Sequence, residues 1–205
     1  MIRLLIIGAG GHGAVVAEAA AFSDRWSEIV FLEDKTSESQ VLGFPIVGST
    51  SEIDEVLDNQ TEAIVAIGDN RRRLELLSTI NEGGGAIATV VHPKACVSPS
   101  ATISIGAALL AGSIVNARTT VGVGCIANTG ATIDHDCKIG GGVHISPGAN
   151  LAGDVSVGEC SWVGIGASVK EGVRIGYDVI VGAGAAVVSN VEDGVTVGGV
   201  PARVL

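Results

Sequence analysis

The sequence has 205 residues, 47% of them apolar but only 3% aromatic, and a formal net charge of −10. This acidic balance argues against nucleic acid and anionic membranes as partners, although backbone N–H groups still allow a small anionic ligand to bind. The four cysteines lack C-x-x-C spacing, no apolar run is long enough to span a bilayer, and the N-terminus has no secretory leader, so we expect no metal site and a soluble cytoplasmic protein.

A glycine-rich turn follows the first apolar run. Arg3–Ile7 is predicted as a strand, residues 8–13 read G-x-G-x-x-G, and Ala14–Phe22 is predicted as a helix. This is the pattern of a dinucleotide-binding turn, in which N–H groups at the helix N-terminus face a phosphate. The local sequence does not separate NAD from another nucleotide.

Strands and helices continue to alternate up to residue 91, which indicates a parallel sheet. About four strands make only half of the double unit that a dinucleotide spans, so we expect a half-Rossmann-like α/β domain in residues 1–91 and disfavour NAD. The further predicted elements are strands Ile29–Leu32, Ala63–Ile67 and Ile87–Val91, and helices Ser51–Leu57 and Arg71–Glu82.

Beyond residue 92 the sequence has a period of six. Every sixth residue from Val97 to Val187 is Val, Ile or Leu, except Ala127, and the residue two places earlier is always Ala, Ser, Thr, Cys or Val. Residues that favour turns follow each aliphatic position. The pattern predicts a parallel β-helix with a C-terminal tail over residues 92–205, with three hexapeptides per 18-residue coil. Cys125 and Cys137 fall in the column of small residues, so we expect both to be buried.

The combination of the two regions resembles a known family. The motifs I-G-A-G-G-H-G, F-L-E-D, V-A-I-G-D-N, I-D-H-D-C-x-I-G and G-G-V-P-A-R are similar to those of bacterial sugar acetyltransferases of the sialic acid O-acetyltransferase type. That family includes N-acetyltransferases of nucleotide-linked 4-amino sugars in bacillosamine and perosamine synthesis. The resemblance implies a left-handed β-helix, a homotrimer, acetyl-CoA bound between neighbouring β-helices, and a nucleotide sugar held by the N-terminal domain.

His135 is the candidate catalytic residue. It lies two residues after inward-pointing Ile133, between Asp134 and Asp136, so its ring should point outward. From the residues alone, a solvated turn is the favoured interpretation, because the corners of a β-helix favour such residues. The resemblance favours function, because it implies a histidine base at this position, oriented by the acid that follows. The family more often has Glu where this chain has Asp136.

Stacking adds a second candidate, since Gly153 lies 18 residues beyond His135 and therefore one coil above it. Its N–H group could bond the acetyl carbonyl, and the resemblance assigns that role to the matching glycine. The resemblance also implies that His144 lies near the acetyl group and that Asn128 contacts the sugar. It implies CoA contacts at Gly164, Ile165, Gly182 and Ala183.

The nucleotide of the sugar is expected at the N-terminal domain, with an acid near the ribose as in a dinucleotide site. A structural role for the histidine in the turn fits its position equally well. The expected substrate contacts there are Gly10, Gly11, His12, Asp34, Gly68 and Asn70.

The function predicted from the sequence is acetyl-CoA-dependent N-acetylation of a nucleotide-linked 4-amino-6-deoxy sugar by direct transfer. The alternative within the same class is O-acetylation of sialic acid or another sugar hydroxyl. A trimeric scaffold without catalysis and an NAD enzyme are the alternatives from other classes.

Overall fold

The computed structural model describes residues 2–205, which form an α/β domain followed by a parallel β-helix. The strands of the α/β domain are β1 (Arg3–Ile7), β2 (Glu28–Leu32), β3 (Gln40–Val41), β4 (Phe44–Gly48), β5 (Thr61–Val65) and β6 (Ala86–Ile87). Its helices are α1 (Gly11–Ala21), α2 (Ile53–Val56), which follows a 3-10 turn at Thr50–Glu52, and α3 (Asn70–Glu82).

The α/β sheet has the strand order β3-β4-β2-β1-β5-β6 and is parallel except for the β3–β4 hairpin. Ile7 pairs with Leu32 on one side and with Val65 on the other, so three strands end at the same edge. The chain leaves β1 for β2 and later returns to the other side of β1 at β5. This reversal opens a crevice at the carboxyl edge of the sheet, where ligands bind in such folds.

The β-helix has three faces, each a sheet of very short strands. Face 1 contains β7 (Val90–Val91), β10 (Ala108–Leu109), β13 (Ile126–Ala127), β16 (His144–Ile145), β19 (Trp162–Val163), β22 (Ile180–Val181), β24 (Thr196–Gly198) and β25 (Arg203–Val204). Face 2 contains β8 (Cys96–Val97), β11 (Ile114–Val115), β14 (Thr132–Ile133), β17 (Asn150–Leu151), β20 (Ser168–Val169) and β23 (Ala186–Val187). Face 3 contains β9 (Thr102–Ile103), β12 (Thr120–Val121), β15 (Lys138–Ile139), β18 (Ser156–Val157) and β21 (Arg174–Ile175).

Neighbouring coils are offset by 18 residues, as the hexapeptide period predicts. Thr132 pairs with Asn150 on face 2, and Lys138 pairs with Ser156 on face 3. The aliphatic column and the column of small residues together fill the interior, and Cys125 and Cys137 are both buried in it. The predicted burial of these two cysteines is therefore confirmed.

The two domains share a packed boundary at the first coils of face 1. Val16 and Ala20 of α1 belong to the same buried cluster as Val90, Ala108 and Leu110 of the β-helix. The predicted strand Ile87–Val91 is in fact divided: β6 pairs with β5 of the α/β sheet, whereas β7 pairs with β10 of face 1. The β-helix thus begins at Val90, before the His-Pro pair.

Helix α3 docks onto the corner between faces 3 and 1 through a fully buried arginine. Arg73 is 0% exposed and donates from Nε to the Gly124 carbonyl at 2.7 Å, and from Nη2 to the Gly142 carbonyl at 2.7 Å. Its Nη1 donates to the Ile67 carbonyl at 2.8 Å, and Nη2 also reaches Asn70 Oδ1 at 2.7 Å. One guanidinium thereby links the α/β domain to two stacked coils.

No helix within residues 2–205 combines the length and the apolar composition that crossing a bilayer requires.

Candidate functional site

The glycine turn lies between β1 and α1 at the crevice of the α/β sheet. Gly8 adopts φ +105°, and a Cβ at Gly13 would overlap the Gly8 carbonyl oxygen, so the turn needs glycine at both positions. No atom lies within 4 Å of a Cβ built at Gly10 or Gly11. These two positions are open, and the N-terminal N–H groups of α1 lie beside them for an anionic ligand.

Two acids border this turn. Glu33 accepts the Ala9 N–H at 2.8 Å, and this bond is the main reason that its pKa lies below the ordinary value. Asp34 is exposed and accepts both the N–H and the hydroxyl of Thr50, each at 2.8 Å. Glu33 thus fixes the turn, while Asp34 binds Thr50 and stays exposed. Of these two acids, Asp34 is the one that the sequence indicated as a substrate contact.

Asn70 differs from its expected role as a substrate contact. Its Oδ1 accepts from Arg73, and its Nδ2 donates to the Cys160 carbonyl at 2.9 Å and to the Ser161 carbonyl at 3.3 Å. The side chain is buried between the domains and has no free polar atom for a ligand. Gly68 remains open at the crevice, because no atom lies within 4 Å of a Cβ built there.

A half-buried histidine, His12, and a buried one, His144, meet where the α/β domain contacts the β-helix. The rings of His12 and His144 lie 6.2 Å apart, and neither His12 Nε2 nor His144 Nδ1 has a hydrogen-bond partner in the described chain. Burial, followed by the charge of Arg73, lowers the pKa of His12 to about 4. Burial, followed by the charges of His12 and Arg73, lowers the pKa of His144 to about 3. Both rings are therefore neutral near pH 7.

Asn128 sets the tautomer of His144. Its Oδ1 accepts the Thr129 N–H at 2.8 Å, so its Nδ2 faces His144 Nε2 at 3.0 Å and donates to it. A neutral imidazole that accepts at Nε2 carries its proton on Nδ1. His144 therefore presents an unpaired, buried Nδ1–H donor, which makes it suited to bind an oxygen atom of a ligand.

An apolar cleft of about 480 Å³ begins at His144 and continues up the corner between faces 1 and 2. The indole of Trp162 stacks on His144 with ring centres 5.1 Å apart, and its Nε1 donates to Ser146 Oγ at 2.6 Å. The backbone and small side chains of the next turns complete the wall. The four positions expected to contact CoA all line this cleft: Gly164, Ile165, Gly182 and Ala183.

His135 and Asp136 form a hydrogen-bonded pair on the corner between faces 2 and 3. His135 Nδ1 lies 2.7 Å from Asp136 Oδ2, and 55% of the His135 side chain is exposed. Arg118, on the coil below, donates to both carboxylate oxygens at 2.6 and 2.7 Å. The Arg118 bonds, followed by the His135 bond, hold the pKa of Asp136 well below its ordinary range, so the acid is anionic.

Gly153 lies directly above the ring of His135. A Cβ at this position would be 2.5 Å from His135 Cε1 and 2.6 Å from Nε2, so only glycine leaves room for the imidazole. The following residue, Asp154, donates its N–H to the His135 carbonyl at 2.9 Å. The N–H of Gly153 donates no hydrogen bond within residues 2–205, so this donor is free on the coil above His135.

The expected site residues form two half-sites within one chain. His135 and Gly153 follow strands of face 2, whereas Asn128 and Gly164 follow strands of face 1. The full width of face 2, six residues or roughly 15–20 Å of extended chain, separates the two corners. The half-site at His12 and His144 is thus distinct from the half-site at His135.

Gly153→Ala tests the close packing of the imidazole. The new methyl group is expected to displace the ring of His135 and lower kcat by about 10- to 100-fold, because small misplacements of catalytic groups have effects of that size. Since the ring is exposed and can swing outward, the free energy of unfolding should change by less than about 1 kcal/mol. Steady-state kinetics and thermal unfolding measure the two quantities.

Gly141→Ala is the matched control, because the nearest atom to a Cβ built there is the Val123 carbonyl oxygen at 3.6 Å. It should keep wild-type kcat. Equal kcat for Gly153→Ala and wild type would contradict the assigned packing.

Residues 3–80 match the family model described as the PglD N-terminal domain. The chain is 38% identical over 113 residues to UDP-N-acetylbacillosamine N-acetyltransferase of Bacillus subtilis. That match spans 54% of this chain and 52% of the Bacillus protein, about half of each.

Two solved structures match nearly the whole chain. The acetyltransferase domain of PglB from Neisseria gonorrhoeae, in complex with acetyl coenzyme A, is 43% identical with a TM-score of 0.97, over 99% of this chain and 98% of that one. Perosamine N-acetyltransferase from Caulobacter crescentus is 40% identical with a TM-score of 0.92, over 99% of this chain and 96% of that one. The latter is a histidine-to-asparagine variant in complex with CoA and GDP-perosamine.

Proposed function

Because this chain belongs to the family of left-handed β-helix N-acetyltransferases that act on nucleotide-linked amino sugars, we propose that it transfers the acetyl group of acetyl-CoA to the amine of such a sugar. The proposed acceptor is a 4-amino-6-deoxy sugar. The observation that carries the proposal is the His135–Asp136 pair beneath the free N–H of Gly153, since it supplies a base next to an oxyanion donor.

His135 is the general base of this reaction. Asp136 accepts a hydrogen bond from the Nδ1–H of His135, which leaves the lone pair of Nε2 free on the side of Gly153. The sugar amine attacks the thioester carbonyl carbon and passes its proton to Nε2. The tetrahedral intermediate then collapses, the carbon–sulfur bond breaks, and CoA leaves as the thiol after receiving that proton.

The carbonyl oxygen becomes negatively charged in this intermediate, and Gly153 N–H is the proposed donor to it. His144 offers a second buried donor at Nδ1 for the acetyl group or the sugar. Asn128 holds that tautomer and contacts the sugar from the same corner. These groups are fixed before the reaction by packing and hydrogen bonds, which is what lowers the barrier.

The nucleotide of the acceptor occupies the crevice of the α/β domain. Its diphosphate lies against Gly10 and Gly11 at the N-terminus of α1, since these open glycines allow close approach. Gly68 and Asp34 border the same crevice, and His12 extends from α1 toward the sugar.

Acetyl-CoA occupies the apolar cleft at the corner between faces 1 and 2. A thioester arm suits walls formed by Gly164, Ile165, Gly182 and Ala183, because an apolar chain needs few polar partners. Acetyl-CoA and nucleotide sugars are metabolites of the cytoplasm, and we propose that location for the protein.

A homotrimer completes the site. The two half-sites of one chain lie on different corners of the β-helix, so the cleft of one subunit needs His135 from another. Three copies arranged around an axis parallel to the β-helices would bring each corner 2–3 against the corner 1–2 of a neighbour. Closed cyclic symmetry of this kind satisfies every subunit in the same way.

Acetyl transfer with a panel of acceptors tests the proposed function. Nucleotide-linked 4-amino sugars carrying different bases are expected to release CoA thiol and to gain one acetyl group on nitrogen, measured by mass spectrometry. Each should be compared with the matched nucleotide sugar that has a hydroxyl in place of the amine, and with free and CMP-linked sialic acid. Transfer only to hydroxyl groups would replace the proposal with sugar O-acetylation.

A further inference from the structure

An arginine outside the His135–Asp136 pair holds that pair in place. Arg118 lies 18 residues before Asp136 and so directly below it, with its backbone at φ +59° under the φ +61° of Asp136. Its Nε donates to Asp136 Oδ1 at 2.6 Å and its Nη2 donates to Oδ2 at 2.7 Å. The parallel fork leaves the carboxylate one orientation.

The oxygen that faces the histidine is shared. Asp136 Oδ2 lies 2.7 Å from both Arg118 Nη2 and His135 Nδ1, so the guanidinium and the imidazole bind the same atom. The arginine thus determines where the carboxylate of Asp136 meets the ring.

The coil below also fixes the backbone of this turn. Asn116 Nδ2 donates to Asp134 Oδ1 at 2.8 Å, and the same oxygen accepts the His135 N–H at 2.8 Å. Thr119 Oγ1 donates to the Asp134 carbonyl at 2.6 Å. With the backbone held in this way, the carboxylate of Asp136 is the remaining variable that sets the direction of the imidazole.

We infer that Arg118 is a positioning residue for the acetyl transfer proposed above: it holds the carboxylate of Asp136, and through Asp136 it orients His135. Only the expected change in kcat rests on the proposed function, because the arrangement of Arg118, Asp136 and His135 is independent of the substrate. Arg118 is 67% exposed, and an exposed ion pair of this kind contributes little to folding stability. Its effect should therefore appear at His135 and not in the unfolding transition.

Removing the charge of Arg118 and removing that of Asp136 should have opposite effects on the protonation of His135, given the charged groups around it. Asp134 and Asp136 flank it, Arg118 faces it from below, and Asp154 follows Gly153 on the coil above. Removing Arg118 takes away a cation and leaves Asp136 Oδ2 to the imidazole alone, which favours the protonated ring. Removing the charge of Asp136 favours the neutral ring.

The test combines NMR titration of the His135 ring with kinetics. In Arg118→Gln the titration midpoint should rise, because a neighbouring cation is lost, and kcat should fall about tenfold. In Asp136→Asn the midpoint should fall instead. Arg118→Lys keeps the cation but loses the fork, so it should restore the midpoint and only part of kcat. The signal of His135 is identified by its loss in His135→Gln.

Arg3→Gln is the control, because Arg3 forms a comparable exposed ion pair with Glu28, in the α/β domain. This substitution should leave both the titration midpoint of His135 and kcat unchanged. A wild-type midpoint and wild-type kcat in Arg118→Gln would overturn the inference. If the midpoints move as expected but wild type acetylates no amino sugar, the proposed function fails and the positioning role of Arg118 stands.

Discussion

Replacing His135 with alanine is expected to lower kcat by about 10²- to 10⁴-fold while CoA still binds. The imidazole is the only proposed acceptor for the amine proton, and its loss leaves that proton to water. The side chain is 55% exposed and its ring bonds only Asp136, so the β-helix should fold unchanged. Single-turnover kinetics measures the chemical step, and calorimetry measures the affinity for CoA.

His92 provides the matched control for this substitution. It is a partly exposed histidine at the start of the β-helix, where its Nδ1 accepts the Lys94 N–H at 2.9 Å and its ring meets Phe22. His92→Ala should retain kcat within about twofold, as surface substitutions away from a site usually do. Activity near the wild-type level in His135→Ala would contradict the role of His135 as base.

Replacing Arg73 with methionine is expected to lower the free energy of unfolding by about 3–5 kcal/mol. Methionine fills a similar volume but cannot donate to the buried Gly124 and Gly142 carbonyls or to the partly buried Ile67 carbonyl. Unpaired buried acceptors carry the full cost of lost hydration. For a chain of this length the loss corresponds to a decrease in Tm of about 6–20 °C. Thermal and chemical unfolding measure both quantities.

Substitution of the neighbouring Arg72 is the control that distinguishes the effect of burial from the effect of charge. It is 54% exposed, and its side chain pairs only with Glu75 at 3.3 Å. Arg72→Met should change the free energy of unfolding by less than about 1 kcal/mol. Equal stability of the two variants would mean that the buried guanidinium does not hold the domains together.

The coil architecture was predictable because its signal is local. The period of six determines which residue points inward, and three hexapeptides determine the stacking distance of 18 residues, so Thr132 opposite Asn150 followed directly. The same arithmetic put Gly153 above His135, where the structure has it. It also puts Arg118 below Asp136, so the spacing of 18 residues contains the signal for that contact.

The elements missed in the α/β domain depend on pairing and not on local pattern. The β3–β4 hairpin turns at Leu42 and Gly43, both at positive φ. Asn-Gly is the usual sequence signal for such a turn, and because leucine stands in the first position, the sequence did not indicate a hairpin here. Ile87–Val91 looks like one strand, but Val90 pairs with face 1 because the chain has already crossed to the β-helix.

The packing role of Asn70 between the two domains could not be predicted from the sequence, for a different reason. Its position after β5 suggested the ligand crevice, yet α3 starts there and turns its side chain toward the β-helix. The partners of Asn70 and Arg73 are largely backbone carbonyls, which every residue possesses. No pattern of residue types therefore marks such an interface.

In the proposed mechanism two subunits form one site, with the nucleotide on the α/β domain of one and the amine at His135 of the other. A crystal structure with CoA and a nucleotide-linked 4-amino sugar tests it most directly. We predict the diphosphate at Gly10 and Gly11, CoA in the cleft beside Trp162, and the amine about 2.6–3.2 Å from Nε2 of His135 of a neighbouring subunit. A nucleotide bound away from the glycine turn, or an amine remote from every His135, would contradict the account.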